Sequence, residues 1–187
     1  MKTLRINIAW LLSVLAILLV SPSVNAQGNK LTKQEKKAAR NAIMTANFYI
    51  LDSLIQAKSF VLEADFLMDK YGQRISVLST VNFIKVDESR GVLQTGSNSM
   101  YGYNGVGGVT AEGSIGSWEN DKNIKKLTHR VRFSLMTNLG IYDVTMNVSS
   151  DNYATATIRG LGPGNLTWQG HIATVGNARI FKGQNTI

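Results

Sequence analysis

From residue 59 to the end of the chain, apolar and polar positions alternate with a period of two. In FVLEADFLMD, Phe60, Leu62, Ala64, Phe66 and Met68 alternate with Val61, Glu63, Asp65, Leu67 and Asp69. One face is oily and the other largely acidic, as in a half-buried strand. DKYGQR supplies a turn, ISVLSTVNFIKV predicts a second strand, DESRG a further turn and VLQTGSNS a weaker third strand. Val109, Ala111, Gly113 and Ile115 predict a fourth that ends near Trp118, and the polar ENDKNIKK reads as a loop. Leu127, His129, Val131, Phe133 and Leu135 then share a face, as do Tyr142, Val144, Met146 and Val148 after the hairpin turn TNLG. YATATIRG, NLTWQGHIATV and a short closing RIFKG complete the series. The pattern predicts a mainly β fold, an antiparallel meander of about eight or nine strands closing into a barrel or folding as a sandwich. No helical pattern separates the strands, which argues against a parallel βαβ sheet.

Ahead of the strands the period is helical. Met44, Phe48, Leu51 and Ile55 recur on one face, flanked by Ile43, Ile50 and Leu54. LTKQE places Thr32 as N-cap with Glu35 three residues on, the pattern of a reciprocal capping box. Residues 27–58 are therefore expected to form a basic leader and one N-terminal amphipathic helix. Residues 59–187 are expected to form the antiparallel β domain, with helix and strands making one globular unit.

The first 26 residues have a different character. Lys2 and Arg5 precede the uncharged run IAWLLSVLAILLV, and SPSVNA ends in small residues. This is the layout of a secretory signal peptide with cleavage near Ala26, and the apolar run is shorter than the roughly 20 residues that span a bilayer. The expectation is export to the periplasm or the medium. There is no cysteine, so the core alone must hold an exported domain together. The net charge is +8, of which two charges belong to the leader and a net four to residues 30–40. The remainder is nearly neutral. For an exported protein such a basic segment does not suggest nucleic acid. The partners to weigh are an envelope protein or a membrane surface met through the basic helix start.

MYGYNGVGGVTAEGSIG is the chemically suggestive stretch. Gly105, Gly107 and Gly108 do not have the spacing of a dinucleotide fingerprint, and neither a helix pattern nor a Gly-Lys-Ser/Thr follows. The glycines from Gly102 to Gly116 read as bends in a curved sheet. SFVLEAD, STVNFIKVD, GSNSMYGYNGVGGVTAEG and RIFKG together resemble domain-of-unknown-function family 4251, small exported proteins of Bacteroidetes-type bacteria, over about residues 30–183. The basic LTKQEKKAAR resembles that family's entry. The resemblance implies a signal peptide followed by a lipocalin-like barrel. It brings no catalytic residue, cofactor or metal ligand with it.

Reaction chemistry is thin. His129 shares a register with Val131 and Phe133, His171 lies opposite Leu166, Trp168 and Ile172, and no H-E-x-x-H or H-x-H spacing occurs. G-x-S-x-G is absent. Glu63 and Asp65, with Asp69 continuing the row, are the only carboxylate pair worth weighing for glycoside hydrolysis. Asp65, Asp69 and Asp87 lack the spacing of a calcium loop. The sequence therefore favours a noncatalytic exported β-domain that binds a small apolar ligand or a glycan, or packs against an envelope partner. No catalytic, cofactor or metal residue is assigned. Asn98, Tyr101, Tyr103 and Asn104 are the first choice for a ligand surface, because aromatics beside amides stack and hydrogen-bond sugars. The alternative is a periplasmic hydrolase using carboxylates or His171, and it requires those ionisable groups to converge.

Overall fold

A computed structural model describes residues 32–97, 105–160 and 164–186. The capping box forms as the sequence implies: Glu35 N–H donates to Thr32 Oγ1 at 3.2 Å and Thr32 N–H to Glu35 Oε2 at 2.7 Å. The Thr32 N–H holds the Glu35 carboxyl below its ordinary range. Helix α1 spans Lys33–Gln56. Phe48, Leu51 and Ile55 are buried together with Asp52, whereas Ile43 and Ile50 stay exposed.

Among the described residues nine antiparallel strands follow: β1 (Ser59–Met68), β2 (Arg74–Ser76), β3 (Phe83–Asp87), β4 (Arg90–Gln94), β5 (Thr110–Asn123), β6 (Thr128–Thr137), β7 (Gly140–Ser149), β8 (Tyr153–Arg159) and β9 (Asn165–Ala173). Each strand from β3 to β9 pairs with the next, β1 pairs with β3, and β9 returns to pair with β1. Eight strands thus close a barrel, and β2 is an additional strand on β1. Closure removes the sheet edges that an open meander would leave to aggregate. The interior is packed with side chains such as Phe60, Leu62, Leu93, Met146, Ile158 and Trp168, and Leu51 and Ile55 of α1 belong to the same cluster. The helix lies against the barrel end that carries the β5–β6 turn, with Phe48 stacked on His129 and Asp52 paired with Lys122 at 2.7 Å.

Two bulges alter the expected registers. The β1–β9 register shifts between Ala64 and Phe66, so Leu67 packs into the core. Phe66 and Met68, expected inside, are only partly buried. Phe66 instead carries the Arg74 guanidinium 3.5 Å above its ring. On β5 the register shifts between Gly116 and Glu119, with Ser117 at a φ of 47°. Trp118 consequently packs on the core and stacks on Phe133 at 5.4 Å. The strand then continues through ENDKN to Asn123, where the polar composition had suggested a loop. A solvated strand reads as a loop when neither face is apolar.

The closing RIFKG is not a strand. Residues 174–186 run as a strap over the outer face of β1, β3 and β4, where Val175, Ala178 and Ile180 pack on Val61, Phe83 and Val92. Gln94, fully buried, holds this strap. Its Nε2 donates to Phe181 O at 2.8 Å and Val81 O at 3.2 Å, and its Oε1 accepts from Gly183 N–H at 2.8 Å and Thr110 Oγ1 at 2.9 Å. Val61 is therefore buried on the side of β1 that alternation assigned to solvent.

Candidate functional site: an opening in the barrel wall

The expected second strand is in fact two strands separated by an excursion. Along one edge of β1, Val77 N–H bonds Asp65 O and Ala64 N–H bonds Asn82 O, both at 2.9 Å. Adjacent residues of β1 are thus met by residues on either side of Leu78–Val81, and those four residues leave the wall. Asn82, with no exposed surface, closes the base of the gap. Its Nδ2 donates to Leu78 O at 2.9 Å and Gly96 O at 3.0 Å, while Gly96 N–H donates to its Oδ1 at 3.0 Å. The carboxamide serves Gly96 as the peptide group of a neighbouring strand would.

Above Asn82 the wall is open. A cleft of about 380 Å³ lies between β2 and the end of β4, lined by Leu67, Ile75, Ser76, Val77, Gly96 and Ser97, with Leu78 at its rim. None of these side chains is ionisable. Leu67 connects it to the core, whereas Ile75 and Leu78 are 60% and 55% exposed. A second cleft, of about 310 Å³, lies between α1 and the end of β9 and includes Ile50, Leu54, Asn152 and Ile172.

The residues singled out for chemistry do not gather there. Asn98, Tyr101, Tyr103 and Asn104 lie outside the described residues. Just beyond them, Gly105 and Gly107 have φ of 74° and 76°, and the chain passes directly into β5. The described part of the glycine block is a corner, with no helix N-terminus to face a phosphate. Glu63 accepts the Arg179 N–H at 2.7 Å. Asp69 accepts the Tyr71 and Gln73 N–H groups of its own turn, each at 2.9 Å, and Asp87 pairs with Lys85. Glu112 is bound by Arg90, Lys182 and Asn185. Hydrogen bonds from Lys182 and then Asn185 pull its carboxyl down to about 2.

Of the weighed groups only Asp65 and His171 meet, with Oδ2 and Nδ1 2.9 Å apart on the barrel surface and Tyr153 edge-on to the imidazole. His129 is buried beneath α1, and desolvation lowers its pKa. Among the described residues no three His, Asp or Glu side chains are grouped so as to hold a metal ion. The cleft was missed because its lining is ordinary strand sequence. The one local signal is Asn82, a carboxamide set between Val81 and Phe83 at the start of FIKV.

A family model described as a domain of unknown function, DUF4251, matches residues 32–172. The chain belongs to the DUF4251 family. It is similar to the crystal structure of a DUF4251 family protein from Bacteroides eggerthii, with 28% sequence identity and a TM-score of 0.60. That match covers 75% of this chain and 93% of the other. No curated protein matches the chain. The DUF4251 match ends at Ile172, so the strap lies outside the segment that defines membership.

Proposed function

We propose that this DUF4251 member is an exported, noncatalytic binding module of the bacterial envelope, and that the wall opening takes an apolar group of its ligand or partner. The observation that carries the reading is the cleft itself, apolar and uncharged, continuous with the core at Leu67 and exposed at Ile75 and Leu78. Ligand pockets are lined mostly by apolar side chains with a few polar groups. The ionisable side chains weighed for catalysis support the same reading, since Glu63, Asp69 and Glu112 are engaged in holding turns and the strap. The leader supports export.

The test uses the chain as secreted by its host. Mature protein is expected to begin at Gln27 on N-terminal sequencing and to bind the fluorescent probe dansyl-undecanoate. Leu78→Asp and Ile75→Asp, both at exposed positions, should weaken probe binding about tenfold without lowering the melting temperature. Undiminished binding in both variants removes the cleft from the reading. The hydrolase alternative has one observation in its favour, the Asp65–His171 pair. Ester or glycoside hydrolysis that His171→Gln abolishes would replace the noncatalytic reading.

A further inference from the structure

The four residues that leave the wall are held at two ends by different means. Leu78 O accepts the Val81 and Asn82 N–H groups at 3.2 and 3.1 Å as well as the Asn82 carboxamide, so that end is closed on itself. The tip is tied to distant chain. Thr80 O accepts the Phe181 N–H of the strap at 2.7 Å, and Val81 O and Phe181 O converge on one donor, Gln94 Nε2. Val81 in turn lies against the cleft's wall, because a Cβ on the lining residue Gly96 would stand 2.9 Å from Val81 Cβ. Leu78 forms the rim. No described residue of the strap lines the cleft itself. The strap also divides into two parts. Val175, Ala178 and Ile180 are seated on apolar sheet, whereas from Phe181 onward the hold is made of hydrogen bonds and Phe181 is 63% exposed. Segments with few buried apolar contacts are the ones that open locally.

We propose that the strap is the latch of the wall opening. Seated, its end at Phe181 holds Thr80 and Val81 out of the wall and so fixes the rim at Leu78 and the contact with Gly96. Unseated, it lets them go, and the cleft loses its shape. This rests on the binding reading above and names how that site is controlled. The coupling is reciprocal by thermodynamic necessity. A ligand that needs the cleft as it stands holds the strap down, and whatever lifts or removes the strap lowers affinity for the ligand. A strap that merely covered apolar sheet would be finished at Ile180. This one continues, placing a main-chain donor on the tip of the excursion and sharing with it a single buried carboxamide.

The test follows trypsin cleavage after Arg179 and Lys182 in the mature protein, with and without saturating dansyl-undecanoate. A small chromogenic substrate in the same tube shows that the probe leaves the protease alone. The probe should slow cleavage of the strap about tenfold, and nicked protein that keeps its circular dichroism spectrum should bind the probe about tenfold more weakly. Phe181→Pro deletes the donor to Thr80 and keeps the apolar seat. It should bring the protection below about twofold. If this variant melts lower than wild type, or the nicked chain unfolds, protection of the wild-type strap decides alone. Equal cleavage rates with and without bound probe overturn the latch, as does undiminished protection in a Phe181→Pro that melts normally. The binding reading then stands so long as Leu78→Asp or Ile75→Asp weakens the probe. A probe that does not bind, or that neither variant weakens, overturns the binding reading and the latch with it.

Discussion

Phe48 of α1 and His129 of β6 lie face to face, their ring centroids 4.5 Å apart and their planes 17° from parallel. The stack seals His129 to 1% exposure, with neither ring nitrogen hydrogen-bonded. The nearest anion, Asp52 Oδ1, is 3.8 Å from Nδ1, too far for a hydrogen bond. Its other oxygen is held by Lys122 at 2.7 Å. Desolvation, the largest influence on His129, lowers its pKa and outweighs the upward pull of Asp52. For Asp52, desolvation pushes up, but hydrogen bonds from Lys122 and Gln56 together leave it below the ordinary range. The interface is thus built for a neutral imidazole beside a carboxylate that already has its cation. The unfolded chain takes up the His129 proton as pH falls past about 6.5, and the folded chain resists it. Stability should therefore fall between about pH 7.5 and pH 5. His129→Phe keeps the stack and deletes the titration, so its melting temperature should fall less over that range. Parallel curves for the two proteins would exclude His129 as the cause.

The strap depends on two side chains of adjacent strands. Replacing Gln94 by Leu leaves Phe181 O, Val81 O, Gly183 N–H and the Thr110 hydroxyl without their partner in a buried place. The cost should be about 2–4 kcal/mol in urea unfolding.

Glu112 acts further along the strap and more weakly. With a folded value near 2 against an ordinary 4.5, its contribution is complete above about pH 4.5 and is lost as pH falls towards 2. Lys182 and Arg90 are largely exposed, which limits that contribution to about 1 kcal/mol. Glu112→Gln should leave the melting temperature nearly unchanged at neutral pH while trypsin cleaves faster after Arg179 and Lys182. Unchanged cleavage would mean that Gln94 suffices to hold the strap.

Alternation made the barrel legible wherever one face meets the core and the other meets water. Val131, Phe133 and Leu135, or Tyr142, Val144, Met146 and Val148, could be placed from spacing alone, and all are buried. The pattern failed where the backbone departs from period two. The bulge at Asp65 moved Phe66 out and Leu67 in, and nothing in FVLEADFLMD marks it. It failed again where a face is covered by distant chain, because burial of Val61 comes from Val175 and Ile180. The wall opening was illegible for a related reason. It arises from four residues leaving an edge, and Leu78–Val81 have a composition that suits a strand equally well.

Two glycines separate conformational freedom from close approach. Gly105 has a φ of 74° and open space around its Cα. Alanine there should cost about 1 kcal/mol, the price of a left-handed conformation. Gly113 of β5 lies where a Cβ would stand 1.8 Å from Met136 O of β6. That contact is with backbone, so the strands must separate, and Gly113→Ala should cost about 3 kcal/mol or more. Denaturant titration of the two variants gives the order. Equal costs would mean that β5 and β6 can spread at Gly113 without disturbing the closed sheet.

Helix α1 has only its buried face to hold it, so the two sides of the helix should respond differently to change. Phe48, Leu51 and Ile55 are essentially inaccessible, and burying each contributes about 2 kcal/mol. Together they rival the whole net stability of a domain this size, about 5–15 kcal/mol. A chain begun at Ser59 would also uncover His129 and leave Lys122 without Asp52. It should aggregate, and Leu51→Ala in the full chain should lose about 2–4 kcal/mol. Ile50→Asp, on the exposed side of the same turn, should leave the melting temperature within a few degrees of wild type. A chain from Ser59 that stays soluble and melts cooperatively would show that the barrel closes its own end, and α1 would then be an accessory to the fold.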